Sequence, residues 1–297
     1  MLFMGQDTIW TVDSLPVPGT ENPGFQLAVL GDPVEHSLSP PMQNAALAAR
    51  GLPYRYERLQ VPPARLSDAF IRLRELGFVG WNLTLPHKIS GYDLVDRLDP
   101  EATALRAVNT VLNLGNELIG FNTDGRGLQA ALAEAFGVDL AKTRIALLGA
   151  GGGAGQASAR FLARLHPDRL LLVNRTVAKL EALKHDLAGD PRVTFWDFAR
   201  LERVFLEAEL IINASSAGLS GDSVDWDPGW FRADHRIFDM VYGREGETPI
   251  VRWARRNGIA AVDGRLMLLH QGAFAFEHWF GKPVPVQAMR DALARCG

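Results

Sequence analysis

A chain of 297 residues with 47% hydrophobic and 22% charged residues has an ordinary globular composition and is long enough for two domains with separate cores. The formal net charge of −3 gives no reason to expect a nucleic-acid partner, and no apolar run reaches the length of a membrane span. The only cysteine, Cys296, adjoins the C-terminus, so an intrachain disulfide is excluded and a reducing, cytoplasmic setting is expected.

Met1 to Asn22 lacks the basic start and sustained apolar core of a secretory signal; with Pro16, Pro18 and Gly19 it reads as a loosely ordered extension. Gln26 to Gly31 is the first predicted strand. Ser39-Pro40 then reads as an N-cap and N1 proline, opening a helix that runs through Ala49 and stops at Gly51. Tyr54 to Leu59 is a strand, Leu66 to Leu76 a helix ended by Gly77, and Val79 to Leu83 a third strand. This alternation implies a mostly parallel sheet covered by helices. The third strand delivers the loop Asn82 to Lys88. In an open α/β sheet, loops at the carboxyl ends of strands line the ligand crevice. Three polar groupings fall in such places: Ser37 and Ser39, Thr84 and Lys88, and Asn109 with Asp124. Asp99-Pro100 begins another helix as cap and N1 proline. Asn109 to Leu114 and Glu117 to Phe121 flank Gly115-Asn116 as a hairpin, and a helix from about Gly127 to Phe136 follows.

Arg144 to Thr176 is the most informative stretch. Strand Ile145 to Leu148, a glycine loop, helix Ala157 to Leu165 and strand Leu170 to Val173 make a β-loop-α-β unit whose loop fits G-x-G-x-x-A at Gly149, Gly151 and Ala154. Gly149 permits the sharp turn, Gly151 admits a pyrophosphate, and the small Ala154 lets the helix pack on the strand. A pyrophosphate there meets free N–H groups and the positive end of a helix dipole. The second strand ends in Asn174-Arg175-Thr176, with Lys179 a turn later and no acid. Two cations and a hydroxyl suit a 2′-phosphate, so NADP is the expected cofactor, while Thr176 can also cap the next helix. Further on come helix Ala178 to Leu187 and strands Val193 to Phe195 and Leu210 to Asn213. The last of these ends in Ala214 to Gly218, a loop suited to lie over a cofactor. Strand Ile237 to Val241, helix Pro249 to Asn257, strand Ala260 to Val262 and helices Leu266 to Phe280 and Val286 to Ala294 complete the chain.

The residues by themselves describe an NADP-dependent oxidoreductase with a central cofactor domain. Hydride exchange with an alcohol needs a group to move the hydroxyl proton. Lys88 is the candidate, with Asp124 to orient it, although a loop lysine can equally be solvated and Asp124 can equally cap a helix. No Ser-Tyr-x-x-x-Lys pattern and no convincing cluster of metal ligands is present, so no metal is expected.

Several ordered motifs then carry a resemblance from Phe25 onward. They are Gly31 to Pro40 (GDPVEHSLSP), Asn82 to Lys88 (NLTLPHK), Ala107-Val108-Asn109-Thr110, Gly120 to Asp124, Gly149 to Ala154, Asn174-Arg175-Thr176, Asn213 to Gly218, Asp239 to Tyr242, Met267-Leu268 and Gln271 to Trp279. With these the chain resembles the shikimate dehydrogenase family. The resemblance implies two α/β domains: a substrate-binding domain over residues 1–124 and an NADP-binding Rossmann-type domain over 125–264. Helices in 265–297 would return to complete the first domain. It implies NADPH-dependent reduction of 3-dehydroshikimate to shikimate, in aromatic amino-acid biosynthesis, by a monomer or homodimer.

By the same resemblance Lys88 and Asp124 are the catalytic pair. Ser37 and Ser39, helped by Tyr242, would hold the substrate carboxylate, and Thr84, Asn109, Asp124 and Gln271 its hydroxyls. Gly149, Ala150, Gly151, Gly152, Gly153 and Ala154 would meet the cofactor, with Asn174, Arg175, Thr176 and Lys179 at the 2′-phosphate. Ser215, Met240, Gly264 and Met267 would also meet it. The run Gly151 to Gly153, the link at His166-Pro167-Asp168 and the segment Gly243 to Glu247 depart from the family pattern. The alternatives are a relative that oxidises quinate or uses NAD, a two-domain methylene-tetrahydrofolate dehydrogenase, and an NADP-binding relative without turnover. Quinate carries an extra hydroxyl that should displace one of the two serines.

Overall fold

A computed structural model of the chain describes residues 9–19, 23–215, 226–243 and 246–296. The chain divides into two compact units, the first made of residues 1–123 with 271–296 and the second of 124–270 with 297.

The first unit holds a seven-stranded sheet. In chain order its strands are β1 (Ile9–Thr11), β2 (Leu27–Gly31), β3 (Tyr56–Gln60), β4 (Gly80–Leu83), β5 (Arg97–Leu98), β6 (Thr110–Asn113) and β7 (Leu118–Phe121). They lie side by side as β1-β3-β2-β4-β6-β7-β5. The first four in this order are parallel, as the strand–helix alternation demands. The hairpin then reverses direction, so β6 is antiparallel to both β4 and β7 and the sheet is mixed. Helices α1 (Ser39–Ala49), α2 (Leu66–Glu75), α3 (His87–Ser90) and α4 (Pro100–Leu105) connect the strands. Leu30, Leu59, Phe70, Leu73, Trp81 and Val111 are among the side chains of the core.

The extension departs from its sequence reading. Ile9–Thr11 pairs along the outer edge of β3, and the turn after it buries Val12 and Leu15 in the same core. Trp10 packs on Phe25, with ring centroids 4.8 Å apart, and Arg72 donates to the carbonyls of Leu15 and Pro16. A short run of apolar residues thus finds a sheet edge and apolar partners, and burial outweighs the flexibility that Pro16, Pro18 and Gly19 confer.

The second unit is a six-stranded, wholly parallel sheet. Its strands are β8 (Arg144–Leu148), β9 (Arg169–Val173), β10 (Val193–Trp196), β11 (Leu210–Asn213), β12 (Arg236–Asp239) and β13 (Ala260–Val262). The order β10-β9-β8-β11-β12-β13 is that of a doubly wound dinucleotide fold, which reverses between β8 and β11. The helices are α5 (Asp124–Phe136), α6 (Gly153–Arg164), α7 (Glu181–Asp186), α8 (Leu201–Glu207) and α9 (Pro249–Arg256). Two separate apolar clusters flank the sheet, one with Leu147, Leu172 and Ile212 and the other with Leu148, Val173 and Ile211. Strands buried on both faces need continuous apolar runs, which is why β8, β9 and β11 were legible as such.

Helix α10 (Arg265–Phe280) carries the chain from the second unit into the first, and α11 (Val286–Ala294) lies along α1 there. Trp279 of α10 donates its indole N–H to the Val111 carbonyl at 2.9 Å. No helix among the described residues is long and apolar enough to cross a membrane.

Candidate active site

In the first unit, segments from four places meet at one end of the sheet. The loop after β2 carries Ser37, and the segment after β4 carries Thr84 and Lys88. Asn109 precedes β6, and Thr123 follows β7. Because β6 runs against β4 and β7, the start of β6 and the ends of β4 and β7 share that end. The ladders register these segments: Thr84 N–H donates to the Leu30 carbonyl, Leu83 N–H to the Asn109 carbonyl, and Asp32 N–H to the Leu85 carbonyl.

Ser37 accepts on its hydroxyl from Ser39 N–H at 3.3 Å, and Arg58 of β3 donates from Nε and a terminal nitrogen to the Ser37 carbonyl. Ser39 is not the N-cap expected from Ser-Pro. Leu38 holds that place without a side-chain bond, and Ser39 is the first helical residue. The hydroxyl pair is therefore held by a loop bond and Arg58 rather than by capping.

Lys88 lies not on an open loop but on the single turn of α3, half-buried. Its backbone is tied down on both sides. Its carbonyl accepts from Val108 N–H at 2.8 Å, and neighbouring His87 is 1% exposed with Nε2 at 2.7 Å from the Val61 carbonyl. Burial holds the His87 ring below the ordinary imidazole range, against the opposing pull of that carbonyl bond and of Asp32. A neutral ring donating to a carbonyl carries its proton on Nε2.

Asn109, also 1% exposed, is the hub of a polar network. Its amide donates to the Thr123 hydroxyl and to Gln271 Oε1, and its oxygen accepts from Thr110, from the Thr123 hydroxyl and from Thr123 N–H. Asn82 donates to Thr110 and to the Asn109 carbonyl and accepts from the Tyr56 hydroxyl at 2.7 Å. Asn109 thus spends much of its bonding capacity within the protein, where it sets Gln271 and Thr123. Tyr56 and Thr123 are not among the site residues expected from the sequence: an aromatic in a strand carries no distinctive signal, and Thr123 stands there only as a member of the Gly120 to Asp124 motif. Asp124, buried, opens α5 and is the first residue of the second unit.

The second unit builds the glycine loop as its spacing demands, with one change. Gly149 turns in the left-handed region at φ +78, and a Cβ there would lie 2.7 Å from the Ser215 backbone. A Cβ at Gly151 would lie 2.6 Å from Lys179 Cβ and 2.9 Å from the Asn174 side chain. Ala150 is wholly buried, Gly152 is the N-cap of α6, and Gly153 starts that helix. Close packing of helix on strand, assigned to Ala154, belongs to Gly155. Ala154 is half-exposed, whereas a Cβ on Gly155 would run into the Gly149 carbonyl and Ala150. The helix starts earlier than its apolar pattern shows, so the contact moves one residue on.

Asn174 accepts from Gly151 N–H at 3.2 Å and donates to the Thr176 carbonyl at 2.8 Å, tying the glycine loop to the turn after β9. Arg175, Thr176 and Lys179 are exposed on that turn. Among the described residues neither Arg175 nor Lys179 has an ion-pair partner. Thr176 makes no capping bond, so its hydroxyl is not spent on a helix end. The loop that admits backbone approach, the helix N-terminus and two cations with no internal partner fit a dinucleotide carrying an extra phosphate.

Beyond the switch point, Ser215 follows β11, half-buried, and Met240 and Tyr242 follow β12, also half-buried. Gly264 lets the backbone pass over Met240, whose carbonyl a Cβ there would strike, and Met267 packs in the apolar cluster. Ser216 to Gly218 and the Arg244-Glu245 part of the departing segment lie outside the described residues. Behind these loops sits Asp239, fully buried and bonded by Asn213, Val241 and Thr248. Burial pushes its carboxyl up from the ordinary range, against the bonds from Thr248, Asn213 and Val241. The described residues contain no group of three or more side chains able to hold a metal ion.

Family models match three stretches of the chain. The shikimate dehydrogenase substrate binding domain matches residues 29–111, the shikimate / quinate 5-dehydrogenase model residues 131–220, and the shikimate 5′-dehydrogenase C-terminal domain residues 264–294. The shikimate dehydrogenase (NADP(+)) of Symbiobacterium thermophilum is 40% identical over 281 residues, 92% of this chain and 95% of that protein.

The chain belongs to the shikimate dehydrogenase family.

A second relative, the shikimate dehydrogenase (NADP(+)) of Rubrobacter xylanophilus, is 41% identical and covers 94% of this chain and 99% of its own. Among solved structures, the shikimate 5-dehydrogenase of Thermus thermophilus in complex with NADP(H) and shikimate superposes with a TM-score of 0.81 at 36% identity, covering 92% of this chain and 100% of that one. The quinate dehydrogenase of Corynebacterium glutamicum in complex with NAD reaches 0.82 at 28% identity, covering 92% and 99%. The family is one of oxidoreductases.

Proposed function

We propose that this chain catalyses the NADPH-dependent reduction of 3-dehydroshikimate to shikimate. The observation that carries the reading is the convergence of Ser37, Ser39, Thr84, Lys88, Asn109 and Gln271 at one end of the first sheet. Neutral hydroxyls and amides there can read the stereochemistry of a small polyhydroxylated carboxylate. The relatives named for NADP and the Thermus structure with shikimate support it.

Ser37 and Ser39, with Tyr242, hold the carboxylate, and Thr84 and Gln271 the ring hydroxyls. Asn109 keeps Gln271 in place through the bond at 3.3 Å. The cofactor supplies the hydride when bound. Lys88 gives a proton to the carbonyl oxygen as the alcohol forms and takes it back in the reverse direction, and Asp124 orients it. Anchoring of the Lys88 carbonyl by Val108 and of the His87 ring by Val61 limits how far the ammonium can wander from that oxygen. The glycine loop meets the pyrophosphate, and Arg175, Thr176 and Lys179 meet the 2′-phosphate. We place the reaction in the cytoplasm, the reducing setting that suits a chain with a single cysteine.

A steady-state screen of shikimate and quinate against NADP+ and NAD+ tests this. Turnover of shikimate with NADP+ is expected to dominate. Turnover confined to quinate, or to NAD+, would replace the reading with that of the quinate-oxidising relatives.

A further inference from the structure

The ends of β11 and β12 are joined by a buried polar chain that the reaction as described does not use. One oxygen of Asp239 accepts from Asn213 Nδ2 at 2.9 Å and from Val241 N–H at 3.2 Å, and the other accepts from the Thr248 hydroxyl at 2.6 Å. Thr248 is the N-cap of α9 and accepts in turn from Val251 N–H at 3.3 Å. Asn213 accepts on its oxygen from the Ser215 hydroxyl at 2.6 Å and from Ser215 N–H at 3.2 Å. A single carboxylate with no exposed surface therefore grips both ends of the connection between β12 and α9 and, through one amide, the first residues after β11.

Such a group is a poor way to add stability. Removing a carboxylate from water carries a large penalty, and here only neutral donors offset it. What a satisfied buried network does supply is a single geometry for the segments it joins. Those segments carry Ser215 on one side and Met240 and Tyr242 on the other. In a doubly wound sheet the dinucleotide spans the switch point. The cations of the adenosine side follow β9, so the nicotinamide falls on the side of β11 and β12.

We propose that Asp239 is a positioning residue for the hydride transfer, setting Ser215, Met240 and Tyr242 around the nicotinamide end through Asn213 and Thr248. The proposal rests on the cofactor reading above. Thr248→Val keeps the shape of the side chain and removes both its bond to Asp239 and its cap on Val251 N–H, Thr248→Ser restores both, and Asp239→Ala removes the hub while leaving the cap hydroxyl in place. Each variant is checked for a cooperative thermal transition. NADP+ affinity should stay within about threefold of the parent, because the adenosine-side contacts are remote from the change. Turnover should fall by about 10–10²-fold in Thr248→Val, the scale of a displacement of around 1 Å at a reacting centre, and Thr248→Ser should recover it. Emission from NADPH added to each protein gives a reading independent of substrate identity. Any enhancement on binding to the parent should be weaker in Thr248→Val and regained in Thr248→Ser.

Folded Thr248→Val and Asp239→Ala variants with parental kcat and parental NADPH emission would overturn the proposal. So would loss of NADP+ binding altogether, which would make the network a support of the whole domain. A parent that binds NADPH but turns over no shikimate would instead refute the proposed function, and the emission comparison would still decide the role of Asp239.

Discussion

Arg175→Ala separates a ligand-binding role from a structural one cleanly. Arg175 is exposed on the turn after β9 and has no ion-pair partner among the described residues, so its removal breaks no bond that the fold uses. The melting transition should therefore be unchanged. A guanidinium hydrogen-bonded to a phosphate is worth about 1.5–3 kcal/mol, and exposure to solvent puts this one at the lower end. A loss of about 1.5–3 kcal/mol corresponds to roughly 10- to 150-fold in Kd, and the lower part of that span is expected here. Lys179, on the same turn, keeps part of the attraction, so Arg175→Ala with Lys179→Ala should lose more than either alone. NAD+ lacks the 2′-phosphate and its affinity should move by less than about twofold, within the additivity of a distant change. Salt gives a second check. The parent's preference for NADP+ over NAD+ should narrow as ionic strength rises from low values, because the Debye length shrinks to about 10 Å at 0.1 M. Titration of both cofactors against parent and variants measures all of this. Equal losses for NADP+ and NAD+, or no loss for either, would refute the assignment of this turn to the phosphate.

Three further outcomes are expected. Lys88→Ala should lower kcat by about 10²–10⁴-fold with a much smaller change in KM for shikimate, and with Asp124→Asn the combined loss should fall short of additive; steady-state kinetics on folded, NADP+-binding protein decides it. His87 has a folded pKa below its ordinary value of 6.5, so as pH falls through that value the unfolded chain takes up a proton that the native state refuses, and stability is lost towards acid. His87→Gln should flatten this fall by up to about 1.4 kcal/mol per pH unit in urea unfolding at two pH values. His235, also held low by burial, and Asp239, held high and acting in the opposite sense, are common to both proteins and cancel in the comparison. Leu15→Ala should destabilise the first unit by about 2–3 kcal/mol, the lower part of the range for a buried leucine near a chain end that can relax, as read by chemical denaturation; an unchanged midpoint would return the extension to a loose tail.

The sequence by itself determined the local features. Runs such as Ile145 to Leu148 and Leu210 to Asn213 had to be buried strands, because apolar side chains on both faces of an extended segment leave no polar side for water. Asp99-Pro100 had to open a helix, since its carboxylate reaches Ala102 N–H at 2.7 Å and proline gives up no needed donor. Gly149 had to turn where other residues strain. These follow from forces acting within a few residues. Tertiary structure decided what depends on partners far along the chain. Asn109 meets Gln271 across a separation of 162 residues, and Trp279 reaches Val111 across 168. Ile9 to Leu15 became an ordered edge because β3 and α2 offered it backbone groups and apolar surface. Ser39 lost its cap role to the geometry of the loop before it, and the helix–strand contact passed from Ala154 to Gly155 because α6 begins a turn earlier than its apolar face. Asp239 could be read only as a member of a motif until burial and three donors showed what it holds. A side chain's partners are set by packing across the sheet, and no local pattern of residues encodes them.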